Sequence, residues 1–202
     1  MTSSLVLVDF EYIVKNRSGA LVFLGEFIKH PTQLGSIIPS SSFLKRRIIA
    51  NADTANAKVI VELGPGNGGT TQAILDSMSP DAKLICIELN QGLYELVSQI
   101  NDARFIAHHG DACDIESILQ SHNLAMPDVV ISGIPFSCID NTVGAALIEK
   151  IHTILNPGGR FVAYQVSAQV SKLNTYFDQT LKKVEIEWLN IPPLRVWRWA
   201  KN

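Results

Sequence analysis

Glycine alternates with other residues in Val-Glu-Leu-Gly-Pro-Gly-Asn-Gly at positions 61–68, directly after an apolar run. Because glycine adopts positive φ and has no Cβ, such a segment can turn tightly and let a ligand approach the backbone. Gly64, Gly66 and Gly69 match the spacing G-x-G-x-x-G, which joins a strand to a helix in nucleotide-binding folds. The segment therefore predicts a nucleotide-binding turn in an open α/β sheet.

An acidic residue, Glu62, lies two positions before the first of these glycines. A carboxylate there would repel the diphosphate of a dinucleotide. It suits S-adenosylmethionine (SAM), which carries no phosphate but has a sulfonium and an ammonium group. We expect Glu62, Gly64, Gly66 and Gly68 to bind SAM. The alternative is a tight turn with one exposed glutamate.

Acidic residues also follow the next two strand-like runs. Glu88, with Leu89 beside it, ends the second run, where an acidic residue typically accepts the ribose hydroxyls. Asp111 and Ala112 follow the third run and are expected to contact the adenine amino group. The alternatives are a surface glutamate that caps a helix and an aspartate that only forms a turn.

The fourth run ends in Ser132-Gly-Ile-Pro-Phe136. Amino-group methyltransferases commonly present their acceptor at this position, and adenine N6-methyltransferases carry Asn-x-Pro-Tyr/Phe there. Gly133 replaces that asparagine, so base recognition would lose its main polar group. We take Ser132, Gly133 and Pro135 as candidate catalytic residues, with Ser132 also near the cofactor, and add Tyr164 of the fifth run. A buried loop is the alternative.

Strands and helices alternate from Lys58 onward. Strands are predicted over 58–63, 83–88, 104–108, 128–133, 159–166, 182–189 and 195–200. Helices are predicted over 70–78, 91–100, 114–121, 141–154 and 168–179. The short connection 190–193 implies that the last two strands are antiparallel. This pattern predicts an α/β fold: a seven-stranded, doubly wound, Rossmann-like sheet with an antiparallel last strand, preceded by N-terminal helices.

Residues 1–57 are expected to form an N-terminal helical segment, separate from a catalytic domain over 58–202. An apolar helix is predicted over 19–30, and the hydroxyl residues of Pro39-Ser-Ser-Ser42 predict the N-cap of a second helix. Residues 12–50 contain six Lys or Arg against Glu26 alone, although the whole chain carries −2. This basic segment favours an anionic partner such as a membrane surface. A solvated helix face is the alternative.

Bulk composition indicates a globular enzyme, since 47% of the 202 residues are hydrophobic and 18% are charged. The three cysteines are widely spaced and form no C-x-x-C, which favours a reducing cytosol over a disulfide framework or zinc site. The N-terminus has no basic stretch typical of a signal peptide. No apolar run approaches the ~20 residues that span a bilayer. We expect a cytoplasmic protein without a metal, with peripheral membrane contact at most.

Four segments together resemble the bacterial phospholipid N-methyltransferases, which are related to ribosomal RNA adenine dimethyltransferases. They are Phe23 to Ser41, Val61 to Gly68, Ser132 to Pro135, and Leu189 to Arg198. The resemblance implies methylation of phosphatidylethanolamine or a related aminolipid, with SAM converted to S-adenosylhomocysteine (SAH). It also implies an N-terminal helix that docks on the anionic inner face of the membrane, and no DNA partner.

Two other classes of function stay open from the sequence. One is a different methyltransferase, either an adenine N6-methyltransferase acting on ribosomal RNA or an enzyme acting on another small amine. Gly133 and the absence of a basic RNA-binding domain after residue 200 speak against the RNA enzyme. The other is a peripheral membrane-binding module without activity, against which the three acidic strand ends argue.

Overall fold

The computed structural model describes residues 41–190 and 193–202. The helix predicted over 19–30, with the membrane contact assigned to it, lies outside these residues. The strands of the described part are β1 (Val59–Leu63), β2 (Lys83–Glu88), β3 (Phe105–His109), β4 (Val129–Ser132), β5 (Arg160–Gln165), β6 (Lys183–Glu187) and β7 (Leu194–Ala200). Its α-helices are α1 (Ser42–Ala52), α2 (Gly69–Ser77), α3 (Gln91–Val97), α4 (Ile115–Ser121), α5 (Asn141–Ile154) and α6 (Gln169–Leu173).

The strands form one sheet in the order β3-β2-β1-β4-β5-β7-β6. Strands β1 to β5 pair in parallel, and β7 is antiparallel to both β5 and β6. This confirms the predicted doubly wound sheet with an antiparallel last strand. The strand order reverses between β1 and β4, so the helices that follow these two strands pack on opposite faces of the sheet. In open α/β sheets, ligands bind in the crevice at such a switch point, at the carboxyl edge.

Helices cover both faces of the sheet, which explains why β1 and β4 are buried along their whole length. Helices α4 and α5 bury Ile118 and Ile151 against one face. Helices α1 and α2 bury Leu44 and Ile74 against the other. A fully buried leucine or isoleucine contributes about 1.5–3 kcal/mol relative to an exposed one, so these apolar stripes fix the helices to the sheet.

Helix α1 begins where the sequence predicts a helix after hydroxyl residues. The Ser41 hydroxyl accepts a hydrogen bond from the Leu44 amide at 3.1 Å, which confirms the predicted N-cap. The buried side chains of α1 belong to the same core as the sheet. The domain boundary expected at residue 57 stays a prediction.

The helix predicted over 168–179 is wrong in its C-terminal half, because α6 ends at Leu173. Asn174 has an extended backbone, with φ of −81° and ψ of 101°. Its side-chain oxygen accepts the Phe177 amide at 3.2 Å. Phe177 is then buried against Phe161 and Trp199. Helix α3 likewise ends at Val97, three residues earlier than predicted.

Helix α1 is tied to the β6–β7 hairpin by charged and polar contacts. The Arg47 guanidinium donates to Glu187 Oε2 at 2.9 Å and also forms a salt bridge with Glu185. The Ser41 amide donates to Asn190 Oδ1 at 3.1 Å. Part of the positive charge of residues 12–50 is therefore neutralised within the protein, which reduces the charge that the segment offers to an anionic partner.

None of the helices in the described ranges is both long and apolar enough to cross a membrane.

The contacts of Arg47 predict a pH-dependent contribution to stability. Hydrogen bonds from Lys183 and then from Arg47 lower the pKa of Glu185 to about 2. Because the pKa is lowered in the folded state, the stabilisation is present at neutral pH and is lost as the pH falls towards about 2. We expect Arg47→Gln to lower the urea midpoint at pH 7, and to lower it less at pH 3.

The matched control is Arg46→Gln, on the exposed side of the same helix. We expect it to leave the midpoint near the wild-type value at both pH values. Equal midpoints for the two variants at pH 7 would contradict the stabilising role of Arg47.

Candidate active site at the carboxyl edge of the sheet

The glycine-rich turn after β1 adopts the backbone conformation that its sequence predicts. Gly64, Gly66 and Gly68 have φ of +68°, +60° and +80°. A Cβ added to Gly66 would meet nothing within 4 Å, so the backbone faces open space there. The Gly64 amide donates to the carbonyl of Ile87 on β2 at 3.0 Å. The turn is thus anchored to the neighbouring strand and leaves room for a ligand against its backbone.

Glu62 lies beneath this turn and is fully buried. Its Oε2 accepts hydrogen bonds from the Thr71 hydroxyl at 2.7 Å and from the Cys86 thiol at 3.0 Å. Its other oxygen, Oε1, is buried without a hydrogen-bond partner in the protein. The alternative of a simple turn with one exposed glutamate is therefore excluded. A buried carboxylate with one unsatisfied oxygen is costly unless a ligand completes it.

Burial, with a smaller contribution from the nearby Glu88, raises the pKa of Glu62 to about 7, against the opposing effect of the bonds from Thr71 and Cys86. Burial also raises the pKa of the Cys86 thiol well above its usual range, so Cys86 stays protonated and donates. A cationic ligand near Oε1 would favour the ionised carboxylate. SAM is such a ligand: its positive charges suit the Glu62 carboxylate, and the open backbone at Gly66 leaves space for it.

Glu88 joins the end of β2 to the glycine-rich turn. Its Oε2 accepts the Gly66 amide at 3.3 Å, and its Oε1 accepts the Asn90 amide at 2.9 Å. The side chain is 5% exposed, and burial raises its pKa. Leu89 beside it is half-buried, and its carbonyl contacts a ring nitrogen of His109 at 3.1 Å. Glu88 therefore lies at the predicted place, close to the turn that it is expected to serve.

Asp111 lies after β3, the next strand along the same edge. Its Oδ1 accepts the Cys113 amide at 2.8 Å and so caps the short turn Ala112–Asp114. Ala112 is buried at the start of that turn. The bond to Cys113 agrees with the alternative in which Asp111 only forms a turn. The expected contact between Asp111 and adenine stays a prediction.

The loop after β4 closes the other side of the crevice. Ser132 is buried, and its hydroxyl accepts the Ile134 amide at 3.2 Å, which turns the chain sharply. The Gly133 amide donates to the carbonyl of Leu63 on β1 at 2.9 Å. Pro135 is half-buried. A Cβ on Gly64 would lie 3.3 Å from the Ile134 side chain. The loops after β1 and β4 are therefore in direct contact.

The hydroxyl of Tyr164 occupies the space beside Gly133. A Cβ on Gly133 would lie 2.6 Å from the Tyr164 hydroxyl oxygen and 2.8 Å from the Gly64 carbonyl oxygen. Burial and the nearby Glu62 raise the pKa of Tyr164 above its usual range, although a hydrogen bond with Thr70 opposes the shift. The phenol stays protonated at neutral pH, so it can form hydrogen bonds but is not a proton acceptor for catalysis.

Sequence reasoning missed three residues that shape the site. Thr71 holds Glu62, and Thr70 contacts Tyr164. Gln165 ends β5, is 5% exposed, and accepts the Phe136 amide through Oε1 at 3.0 Å. Its Nε2 is buried without a partner. Gln165 could have been predicted as a site residue, because it is a polar residue at the end of a largely apolar strand. Thr70 and Thr71 gave no such indication, since threonine is an ordinary residue in the first turn of a helix.

Comparison with known proteins supports a methyltransferase. No family model matches the chain. The chain is 35% identical over 142 residues to the ornithine lipid N-methyltransferase of Singulisphaera acidiphila. The aligned region covers 69% of this chain and 74% of the relative. The chain is 30% identical over 128 residues to the ribosomal RNA small subunit methyltransferase A of Parasynechococcus marenigrum, covering 62% of this chain but only 41% of that relative.

A solved structure has the same fold. The N-methyltransferase NodS of Bradyrhizobium japonicum in complex with SAH superposes with a TM-score of 0.62 at 12% identity, covering 80% of this chain and 88% of that chain. Together with the 35% identical relative, the sheet topology and the acidic, glycine-rich edge define a class I SAM-dependent methyltransferase. Its cofactor is SAM and its product is SAH.

Similarity to the Singulisphaera enzyme identifies the particular branch of this class. The chain belongs to the lipid N-methyltransferase family.

The charge state of Glu62 predicts a proton linked to cofactor binding. With a pKa of about 7, Glu62 is mostly protonated at pH 6, and a bound cation lowers that pKa. We therefore expect SAM binding to release most of one proton at pH 6 and little at pH 8, and the affinity to rise between these values. Calorimetry in buffers of different ionisation enthalpy measures the release.

The Glu62→Gln variant should bind SAM more weakly and release no proton at pH 6. Glu116→Gln, an exposed position on α4, serves as the matched control and should behave as wild type. Equal proton release by wild type and Glu62→Gln would show that another group titrates.

Proposed function

We propose that this enzyme transfers the methyl group of SAM to the amine of a phospholipid headgroup, either phosphatidylethanolamine or a related aminolipid. The main support is the contact between Gly133 and Tyr164. Gly133 has no asparagine side chain that could bind a nucleobase, and the neutral hydroxyl of Tyr164 lies in its place. The lipid named for the Singulisphaera relative, an ornithine lipid, also carries an amine.

The space beside Gly133 argues against a nucleobase acceptor. The asparagine of an Asn-x-Pro-Tyr/Phe motif would need its Cβ where the Tyr164 hydroxyl and the Gly64 carbonyl lie within 3 Å. One of these two groups is backbone and belongs to the cofactor turn, so it cannot move freely. The loop is therefore built around glycine, and a base-binding asparagine cannot be restored by one substitution.

In methyl transfer the protein mainly positions the reactants, and none of its own side chains needs to form a covalent bond. SAM supplies an electrophilic methyl group whose sulfur leaves as a neutral thioether when the new N–C bond forms. The acceptor must arrive as a free amine, because a protonated amine has no lone pair. The Tyr164 hydroxyl and the carbonyls of the loop after β4 are the groups that can accept hydrogen bonds from the amine and orient it. Such positioning can contribute about 7–11 kcal/mol in ideal cases.

The proposal includes peripheral association with the anionic, cytoplasmic face of a membrane. The basic residues Lys15, Arg17 and Lys29, which precede the described part of the chain, support it together with the exposed Arg46. Ribosomal RNA is the competing acceptor, in view of the similarity to a ribosomal RNA methyltransferase.

Acceptor choice is tested by incubating the enzyme with methyl-labelled SAM and three substrates in parallel. These are vesicles containing phosphatidylethanolamine, vesicles containing ornithine lipid, and ribosomal RNA. We expect label in the lipid fraction, with mono-, di- and trimethylated headgroups separated by chromatography. Label in the RNA and in neither lipid would overturn the proposal in favour of the adenine enzyme.

Removing the Tyr164 hydroxyl tests whether it orients the acceptor. We expect Tyr164→Phe to lower kcat/KM for the aminolipid about tenfold, as one lost hydrogen bond in the transition state allows. The dissociation constant for SAM should change much less. Tyr176→Phe removes an exposed hydroxyl that bonds to Glu149 on α5, and should leave both quantities unchanged. A loss confined to SAM affinity would assign Tyr164 to the cofactor site instead.

A further inference from the structure

Large apolar side chains are exposed together near the end of the β6–β7 hairpin. Trp188 and Leu189, in the turn after β6, are 69% and 64% exposed. Val166, directly after β5, is 44% exposed, and Phe43, in the first turn of α1, is 49% exposed. We call these four residues the edge patch. An exposed tryptophan beside an exposed leucine is unusual on a soluble surface and marks a contact site.

Sheet register places the edge patch beside the active site. Gln165 at the carboxyl end of β5 pairs with Arg195 near the start of β7, and Glu187 at the end of β6 pairs with Leu194. The β6–β7 turn therefore lies at the carboxyl edge of the sheet, where Tyr164 and the loop after β4 also lie. The surface that carries Trp188 thus adjoins the side of the sheet from which an acceptor must enter.

Hydrogen bonds hold the segments of the edge patch together. The Ser41 amide bonds to Asn190, which brings the start of α1, and with it Phe43, to the hairpin turn. The Arg195 guanidinium donates to the carbonyl of Val166. The patch is therefore built on fixed elements and is not a single loose loop.

The charges on the segments that form the patch are mainly positive. Lys45, Arg46 and Arg195 lie on them, and Arg46 is one helical turn from Phe43 on the exposed side of α1. Among the described residues of these segments the carboxylates are Glu185 and Glu187. Both pair with Arg47, and Glu187 is 3% exposed. Exposed Trp and Leu flanked by Lys and Arg are the composition that binds the interface of an anionic bilayer.

We infer that Trp188 and Leu189, supported by Phe43 and Val166, insert into the interface of an anionic phospholipid bilayer and turn the mouth of the active site towards the membrane. The inference rests on the proposed function, since a headgroup amine lies at that interface and can reach the site without leaving the lipid layer. The contact belongs to the hairpin at the C-terminal end of the fold, in addition to any contact made by the N-terminal segment.

Membrane partitioning of the full-length chain tests this surface. The probe is vesicles of equimolar phosphatidylglycerol and phosphatidylethanolamine, with binding measured by sedimentation. We expect Trp188→Ala to weaken partitioning about tenfold, as expected for removal of one large apolar side chain from an interface. Met126→Ala is the matched control, because Met126 is 49% exposed but precedes β4 at the opposite edge of the sheet. It should partition as wild type.

Fluorescence assigns the inserted residue. Trp197 and Trp199 are buried, so Trp188 is the exposed tryptophan of the chain. Brominated lipids in the same vesicles should quench the wild-type emission and leave that of Trp188→Phe largely unquenched. Equal quenching in both proteins would overturn the inference. It would also be overturned if wild type formed a dimer through Trp188 and bound vesicles no more tightly than Trp188→Ala does.

Methylation of phosphatidylethanolamine in detergent micelles separates this inference from the proposed function. If wild type and Trp188→Ala both methylate the micellar lipid while only wild type binds vesicles, the inference and the proposed function both stand. If both variants bind vesicles equally, the docking surface is wrong whatever the micelles show. If wild type methylates no aminolipid in micelles, the proposed function fails even where Trp188 is quenched.

Discussion

A buried carboxylate with one unpaired oxygen is the constraint on which the site depends. Glu62 lies near the end of an apolar strand between two covered sheet faces, where an isolated charge is costly. Thr71 from α2 and Cys86 from β2 satisfy one oxygen, which fixes the first turn of α2 against both strands. Oε1 stays without a partner in the protein. The fold thereby holds an acidic group, partly neutral at physiological pH, next to the backbone turn where a cationic cofactor fits.

Direct contacts between the loops at the strand ends surround this buried group and form the edge of the site. Glu88 holds the turn through the Gly66 amide, and the turn contacts the loop after β4 through Gly64 and Ile134. The proposed cofactor and acceptor regions are therefore in direct contact, and we expect a substitution at Gly133 to disturb the glycine-rich turn as well. The same edge continues into the β6–β7 hairpin, whose position beside α1 is set by Arg47 and its two glutamates. The proposed active site and the proposed membrane contact thus lie at one edge of one sheet.

Much of the fold and of the cofactor region follows from local sequence. Apolar runs that end in glycine or an acid predicted the strands. Glu62 and Glu88 stood out because one lies within and the other ends an otherwise apolar run. Contacts between distant segments had no such signal. The bond from Arg47 to Glu187 joins residues 140 positions apart, and the approach of Tyr164 to Gly133 depends on how β5 packs beside β4. The early end of α6 reflects the burial of Phe177, where tertiary packing overrides helix propensity.

A crystal structure of the enzyme with SAH would show directly whether the carboxyl edge around Glu62 and Glu88 is the cofactor site. We expect the ribose hydroxyls to bond to the Glu88 carboxylate, the ligand to pack against the Gly66 backbone, and a cationic group or a bridging water to bond to Glu62 Oε1. SAH bound away from Glu88, or a complex in which Glu62 Oε1 remains without any partner, would contradict this expectation.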